Sequence, residues 1–421
     1  MNDRILVEKC EKNVKVYKKY KMFAYDFLFY YAISVMYYSI TKGFSMSEIM
    51  YITGFYTFFM FFWQLPGTFI SERLGLKNTL VFGNLLIIFS VLGYLFAPNF
   101  KFVVLGDFFG TLGFTLKSLT EGSILYSSLK KLNNRGNFSK IEGKATSKYY
   151  YYDAISALLS GFLFLINNYL PIILCLINRF IALYFSFKFE NIENNYDKKE
   201  SVIKILGSFK EIIKSKRARS IFLFACVFMG IISVNTTLYK AILMELGLET
   251  QYITMVVSVY TILVGLGAKM QFSIEKITKN KTLSTFGIIF IISMIILGIE
   301  GVNGKLDYKT FSVVMICLAF MGIIQGAYRV SIKKYVLNFT TSKIRTKITS
   351  IYYMFENIGS SIMMFLSGFL LNFTSSSKTC IIYGSIAFLI MILVIVYMKK
   401  RLGLKPEEYS KQELNGVEYK L

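Results

Sequence analysis

The sequence predicts an all-α membrane protein with twelve transmembrane helices in two pseudo-symmetric bundles of six. Three observations predict it: the composition is apolar, hydrophobic stretches of bilayer length recur, and the basic residues fall between those stretches. Of the 421 residues, 54% are hydrophobic and only 17% are charged. A soluble domain of ordinary composition is less apolar. We therefore expect a lipid bilayer to be the main solvent of this chain.

The hydrophobic stretches give the element order. A helix needs roughly 20 apolar residues to cross the hydrocarbon core. Twelve stretches of about that length occur, at 22–41, 48–70, 79–97, 102–128, 146–168, 171–190, 220–242, 250–272, 283–302, 310–333, 347–373 and 378–398. This predicts five segments: an amino-terminal cytoplasmic segment 1–21, a bundle 22–190, a linker 191–219, a second bundle 220–398 and a tail 399–421.

The linker is the one long polar stretch between the bundles. Apolar residues recur within it at helical spacing from Val202 to Ile213, with lysines around them. That pattern predicts an amphipathic helix lying on an anionic leaflet, and a docking helix for a partner protein is the alternative.

The basic residues predict the orientation. The formal net charge is +23. Alternate connections hold most of it: Arg73 and Lys77; Lys130, Lys131, Arg135, Lys140 and Lys144; the linker; Lys276, Lys279 and Lys281; Lys333, Lys334, Lys343, Arg345 and Lys347. Cytoplasmic loops carry such an excess. We expect a multi-pass protein of the bacterial inner membrane with both termini cytoplasmic. We also expect its basic residues to contact anionic lipid and not nucleic acid.

Several residue types and motifs are missing. The sequence contains no histidine, its five cysteines form no CxxC pair, and no G-x-x-x-x-G-K-[ST] phosphate loop occurs. Without these groups a metal site, a thiol redox centre or an ATP site is not indicated. We therefore expect no cofactor, no metal and no enzyme activity, and any proton chemistry must use carboxylates.

The two halves of the sequence echo each other. Glu72 and Arg73 follow the second stretch, and Glu275 and Lys276 follow the eighth in the same order. Glycine pairs four residues apart recur in the fourth and tenth stretches, at Gly106 and Gly110 and at Gly322 and Gly326. A six-plus-six internal repeat accounts for both matches.

The segment after the second stretch resembles the signature G-x-x-x-D-R-x-G-R-R of the major facilitator superfamily. Glu72 stands at the acid, Arg73 and Gly75 match, and Lys77 supplies the final base, while the first glycine and one base are replaced. The resemblance implies that spans 1, 4, 7 and 10 line a central cavity. It also implies that this loop, with its counterpart at Glu275 and Lys276, acts as a cytoplasmic latch.

Ionisable residues inside the spans are the candidate site residues. Each costs about 2.5–3.5 kcal/mol at membrane depth on insertion scales, so each should face a partner or a wet cavity. In span 4, five residues step at intervals of three and four along one stripe: Asp107, Gly110, Gly113, Lys117 and Glu121. Lys117 and Glu121 are expected to pair at i,i+4. The stripe lines either the cavity or a close-packed helix face with its own ion pair.

The remaining candidates lie in spans 1, 7, 10 and 11. They are Asp26 and Tyr30 in span 1, Asn235 in span 7, Gln325 and Arg329 in span 10, and Glu356 in span 11. Asp26 belongs to the substrate and proton pathway or caps against nearby lysines. Arg179 in span 6 needs an acid, for which Asp107 or Asp153 is expected. An Arg329–Glu356 pair is expected, with a structural or a gating role.

These features favour a secondary active transporter over other classes. We expect it to move a small organic solute by alternating access, as a monomer, with proton-coupled efflux as the leading interpretation. Glu121 is the first candidate for the proton carrier, followed by Glu356 and Asp26. Proton-coupled uptake of a polar nutrient and a non-transporting receptor or scaffold are the alternatives.

Overall fold

The computed structural model describes residues 2–134, 138–192, 216–278, 281–338 and 345–399. All the longer elements in these ranges are helical. The α-helices are α1 (Asn2–Ala24), α2 (Tyr30–Met36), α3 (Met46–Leu74), α4 (Leu76–Phe96), α5 (Phe100–Lys131), α6 (Phe138–Ile166), α7 (Leu170–Phe187), α8 (Lys216–Glu245), α9 (Thr250–Thr278), α10 (Thr282–Asn303), α11 (Tyr308–Asn338), α12 (Arg345–Leu371) and α13 (Ser376–Lys399). Nearly all of the predicted linker and tail lie outside the described residues.

The expected all-α membrane protein is confirmed at this level. Ten of the described helices, α4 to α13, are long and apolar enough to cross a bilayer. They correspond in order to predicted spans 3 to 12. Predicted span 2 coincides with α3, a helix of 29 residues.

The first predicted span is broken in the structure. Helix α1 ends at Ala24, residues 25–29 are not helical, and α2 leads into a π-helical turn, Tyr37–Thr41. Phe29, at the start of α2, has a φ of 66°. This left-handed conformation is uncommon for a bulky side chain, and it redirects the chain between the two helices. The break leaves the last carbonyls of α1 without helical partners.

Helix α1 also begins earlier than the predicted span. It starts within the segment 1–21 that was assigned to the cytoplasm, and Cys10, Asn13, Tyr17 and Tyr20 are fully buried in it. Their spacing of three and four residues puts them on one face of the helix. Basic residues lie between them and lower the average hydropathy of the segment, so hydropathy alone does not reveal this buried face.

The described chain divides into two compact units. Unit 1 contains residues 1–44, 62–200 and 250–258, and unit 2 contains residues 45–61, 201–249 and 259–421. Within unit 1, α4 and α5 approach closely at two glycines. A Cβ added to Gly113 would lie 2.5 Å from the Gly83 carbonyl oxygen. Such contact is typical of small residues between membrane helices.

Unit 2 contains a matching close contact between α9 and α11. A Cβ added to Gly326 would lie 1.8 Å from the carbonyl oxygen of Val264, and one added to Gly267 would lie 2.0 Å from that of Ile323. In unit 1, Gly110 lies against Ser90 of α4 in a similar way. Gly110 and Gly326, one from each echoed glycine pair, therefore serve helix packing.

Candidate functional site

Two buried cations hold the end of α1 at the break in the first span. Lys117, on α5, donates hydrogen bonds to the carbonyl oxygens of Ala24 and of Tyr25, the latter at 2.7 Å. A carbonyl group buried without a partner would cost free energy, so this lysine stabilises the broken helix end.

Arg179, on α7, completes the cap. It donates to the carbonyl oxygens of Phe23 at 2.9 Å and Ala24 at 3.3 Å, and to that of Asp26. The expected pair between Arg179 and Asp107 is wrong. Backbone carbonyls at a helix end carry partial negative charge, and here they take the place of the acid.

Glu121 is paired with a lysine that the sequence analysis assigned to the cytoplasm. The ammonium group of Lys21, on α1, donates to Glu121 and also lies 3.3 Å from the carboxylate of Glu142 on α6. Tyr17 donates to Glu142 from one turn earlier on α1. The expected Lys117–Glu121 pair is therefore wrong, because Lys117 turns to the end of α1 instead.

The Lys21 ammonium group also lies over two aromatic rings. It is 5.9 Å from the ring centroid of Tyr17 and 5.0 Å from that of Tyr25. Its side chain is only 4% exposed. Two carboxylates and two rings therefore offset the cost of burying this charge. We name Lys21, Glu121, Glu142 and Tyr17 the ion cluster.

Asp26 lies within the break and Tyr30 begins α2, and their side chains are not hydrogen-bonded to each other. The carboxylate of Asp26 accepts a hydrogen bond from the backbone of Phe27 at 2.8 Å, which is a local turn contact. The hydroxyl of Tyr30 donates to that of Tyr38 at 2.6 Å. Tyr30 also stacks on Tyr94 with ring centroids 5.1 Å apart.

Asp107 lies beyond these tyrosines. The hydroxyl of Tyr94, on α4, donates to its carboxyl group, and the second carboxyl oxygen has no hydrogen-bond partner among the described residues. Span 4 thus carries two carboxyl groups in different surroundings: Glu121 beside a cation and Asp107 beside a tyrosine.

In unit 2, the candidates of spans 7 and 10 lie near a pair of stacked tyrosines. Tyr239 of α8 and Tyr260 of α9 have ring centroids 5.2 Å apart, and Tyr260 donates to the Gln325 amide oxygen at 2.5 Å. Asn235, one turn before Tyr239, is fully buried. Neither atom of its amide has a hydrogen-bond partner in the described part of the chain.

Glu356, on α12, is held by tyrosines. The hydroxyl of Tyr352 donates to it from one turn earlier, and that of Tyr328 on α11 lies 3.4 Å away. The expected pairing of Arg329 with Glu356 stays a prediction. Arg329 has an exposed side chain, and it follows Tyr328 directly, so the two side chains leave α11 in different directions.

Comparisons with known proteins give one family match and several structural neighbours. The family model described as Major Facilitator Superfamily matches residues 273–417. No curated protein matches the chain. Among solved structures, the nucleoside transporter NupG has a TM-score of 0.72 at 12% identity, over 95% of this chain and 100% of that one. The matched segment covers the carboxy-terminal part of the chain, while the structural likeness extends over almost all of it.

Two further structures share this fold. The POT family transporter PepTSo has a TM-score of 0.70 at 12% identity, over 96% of this chain and 99% of that one. A bacterial homologue of the human lysosomal transporter Spinster has a TM-score of 0.61 at 13% identity, over 97% and 98%. At these identities the solved structures establish that this chain shares their fold.

The signature loop of the major facilitator fold lies between α3 and α4. Gly75 has a φ of 73°, which a side chain would disfavour, and this explains the glycine at this position. The exposed Arg73 guanidinium lies 4.2 Å from the ring centroid of Phe69. Glu72 and Lys77 are half-buried.

The counterpart segment at the end of α9 has a different arrangement. Glu275 is buried and accepts a hydrogen bond from the Gln271 amide at 2.6 Å. Lys276 is exposed. The acid of the second segment is therefore held within its own helix, one turn from its donor.

Proposed function

We propose that this protein moves a small organic solute across the bacterial cytoplasmic membrane by alternating access coupled to protons, with efflux as the physiological direction. The observation that supports it most directly is the ion cluster, because a buried lysine shared by two carboxylates tolerates a change of protonation. When Glu121 takes up a proton, Lys21 keeps Glu142 as a counter-ion. The cost of leaving a buried charge without a partner is then avoided.

We further propose twelve crossings with both termini in the cytoplasm. Ten of these crossings would be the apolar helices α4 to α13. The other two would be α3 and a first span composed of α1, the break and α2. A discontinuous first span supports transport, since substrate and ion sites often form where a membrane helix is interrupted. Reporter fusions after Asn99 and Asn303 should locate outside, and fusions after Asn137 and Asn195 inside. An external report for Asn195 would refute the six-plus-six topology.

The decisive variant is Glu121→Gln, which mimics the protonated acid. A thermal-shift panel of metabolites and drugs on the purified protein would first supply a substrate. In proteoliposomes, Glu121→Gln should keep substrate exchange but lose accumulation driven by a pH gradient. Glu142→Gln is the matched control, because it removes the second acid of Lys21 and keeps Glu121. Wild-type accumulation by Glu121→Gln would leave Glu121 as a structural partner of Lys21.

Uptake of a polar solute is the second candidate. Asn235 favours it, since neither atom of its buried amide has a hydrogen-bond partner among the described residues. Its NH2 group could donate to a hydrogen-bonding ligand and its carbonyl oxygen could accept from one. Two of the solved structures with this fold are named as transporters of nucleosides and of the POT family. Accumulation in right-side-out vesicles indicates uptake, and accumulation in inverted vesicles indicates efflux. A receptor or scaffold would show neither accumulation nor exchange.

We also propose that Glu72, Arg73, Gly75 and Lys77, with Glu275 and Lys276, form the cytoplasmic latch. The exposed guanidinium of Arg73 is available to a partner on that surface. Arg73→Ala should shift the resting population toward the inward-open state without preventing insertion. Distances between paired spin labels on the cytoplasmic loops would measure this shift, and an unchanged distribution would argue against the latch.

A further inference from the structure

Asp107 is a buried carboxyl group that forms no salt bridge with any described residue. It is 2% exposed, and Tyr94 donates a hydrogen bond to one of its oxygens. Its Oδ2 has no hydrogen-bond partner in the part of the chain that the structure describes. A buried carboxylate ion without a cation is costly by several kcal/mol, whereas a neutral carboxylic acid is not.

The ionisable groups around Asp107 are uncharged near neutral pH. Helix α4 contributes Tyr94, α2 contributes Tyr30, the π-helical turn contributes Tyr38, and α7 contributes Cys175 beside Tyr30. These side chains are neutral in their ordinary forms at that pH.

The cations and acids of the neighbouring elements are engaged elsewhere. On α5 itself, Lys117 is bonded to the end of α1. Helices α1 and α6, which also pack against α5, direct Lys21 and Glu142 to the ion cluster. Arg179 of α7 is bonded to the carbonyl groups of the break.

A second unpartnered oxygen lies on the same interface between α4 and α5. The hydroxyl of Ser90 also has no hydrogen-bond partner within the described ranges. A Cβ added to Gly110 would lie 2.4 Å from this oxygen. Ser90 is one turn from Tyr94 on α4, and Gly110 is about one turn from Asp107 on α5. The interface thus holds a buried acid and a buried hydroxyl, each with an oxygen that has no hydrogen-bond partner among the described residues.

We propose that Asp107 is a proton-binding site of this transporter, distinct from the ion cluster. A proton from water binds Oδ2 and forms the neutral acid, while Tyr94 keeps its hydrogen bond to Oδ1. On release the proton returns to water and leaves the carboxylate. The hydroxyl groups of the partly exposed Tyr30 and of its partner Tyr38 lie along the proposed path of the proton between water and Asp107.

Two carboxyl groups on one helix then bind protons at different depths. Asp107 and Glu121 are fourteen residues apart on α5, roughly 21 Å at 1.5 Å per residue. The protonation of Asp107 does not depend on transport. Its part in coupling rests on the proposed function.

Infrared spectroscopy of the full-length protein in lipid nanodiscs tests the site without a substrate. In the difference between wild type and Asp107→Asn at neutral pH, we expect the loss of one protonated carboxylic acid C=O band. Loss of a carboxylate band instead would overturn the proposal. Glu121→Gln is the matched control and should remove a carboxylate band, because Glu121 is paired with Lys21.

Tyr94→Phe gives a second readout if Asp107→Asn does not insert. It keeps the acid and removes the hydrogen bond to Oδ1, so the acid band should remain and shift to higher frequency. A shift confined to the carboxylate bands would overturn the proposal.

Transport assays separate the two proposals. Asp107→Asn should lose accumulation driven by a pH gradient, and full accumulation would remove Asp107 from coupling. Absence of transport by the wild type would refute the proposed function and leave the infrared result intact.

Discussion

The two units bury their carboxyl groups by different physical means. In unit 1, Glu121 lies beside Lys21, which is shared with Glu142, so charge balances charge. In unit 2, Glu356 lies beside the hydroxyls of Tyr352 and Tyr328, which donate hydrogen bonds to it. Both arrangements satisfy a buried acid. Among the described residues, the arrangement around Glu121 also buries a cation, Lys21.

This difference indicates how each buried acid should respond when one of its partners is removed. Removing one partner of a buried ion pair leaves an uncompensated charge, which costs about 3–5 kcal/mol. Removing a tyrosine hydroxyl leaves an acid that can take up a proton and become neutral. Unit 1 should therefore be sensitive to the loss of its cation, and unit 2 should respond mildly to the loss of a donor.

The largest effect is expected from Lys21→Met. This change leaves Glu121 and Glu142 close together without their cation, so we expect a loss of about 3–5 kcal/mol in the free energy of unfolding. Apparent melting temperature and yield of folded protein in detergent would measure it. Lys21→Arg keeps the charge and should retain most of the stability.

A double variant makes this expectation sharper. Glu121→Gln removes one of the two acids, so Lys21→Met should cost less in that background than in the wild type. Additive losses would show that Lys21 and Glu121 do not interact energetically. That outcome would remove the distinction between the two units.

A smaller effect is expected from Tyr352→Phe in unit 2. One hydrogen bond to Glu356 is lost, which typically costs about 1–3 kcal/mol when a charged group loses its donor. Tyr328→Phe is the matched control, since its longer contact of 3.4 Å should contribute less. Thermal unfolding of both variants would measure the difference. A larger loss for Tyr328→Phe would contradict the assignment of Tyr352 as the main donor.

Sequence patterns predicted the spans better than they predicted the partners. Apolar stretches of bilayer length located spans 3 to 12, because each such helix is long and apolar by itself. The break at 25–29 was missed, since no proline or glycine marks it and its stability comes from Lys117 and Arg179 on other helices. Hydropathy contains no information about contacts of that kind.

The ion pairs failed for a related reason. Lys117 and Glu121 have the spacing of a local pair, and the i,i+4 rule is worth only about 0.2–0.5 kcal/mol. The ammonium group of Lys117 donates instead to two carbonyl groups at the end of α1, those of Ala24 and Tyr25. The face formed by Cys10, Asn13, Tyr17 and Tyr20 did offer a signal that α1 is buried upstream of Lys21. Following that periodicity through the basic residues would have placed Lys21 inside the bundle.

The smallest effect is expected where a carboxylate meets solvent. Glu190, which follows the end of α7, accepts a hydrogen bond from Lys12, and this contact holds the pKa of its carboxyl group below the ordinary value. A depressed pKa stabilises the fold above the pKa of the unfolded chain, and that contribution is lost as pH falls through the folded value. Because the pair is partly exposed, Glu190→Gln should cost less than about 1 kcal/mol, and high salt should reduce the difference.

The neighbouring Asn13 gives the matched comparison for that exposed pair. Asn13 is fully buried, donates to the Glu190 carbonyl oxygen at 3.1 Å and accepts from the Glu190 amide at 2.8 Å. Neither bond involves a titrating group, so Asn13→Ala should destabilise the protein more than Glu190→Gln and equally at acidic and neutral pH. Melting temperatures of both variants across that range would measure this. If the loss of melting temperature in Asn13→Ala vanished on acidification, Asn13 would act through the Lys12–Glu190 pair. Burial would then not explain why the contacts of Asn13 are stronger than that pair.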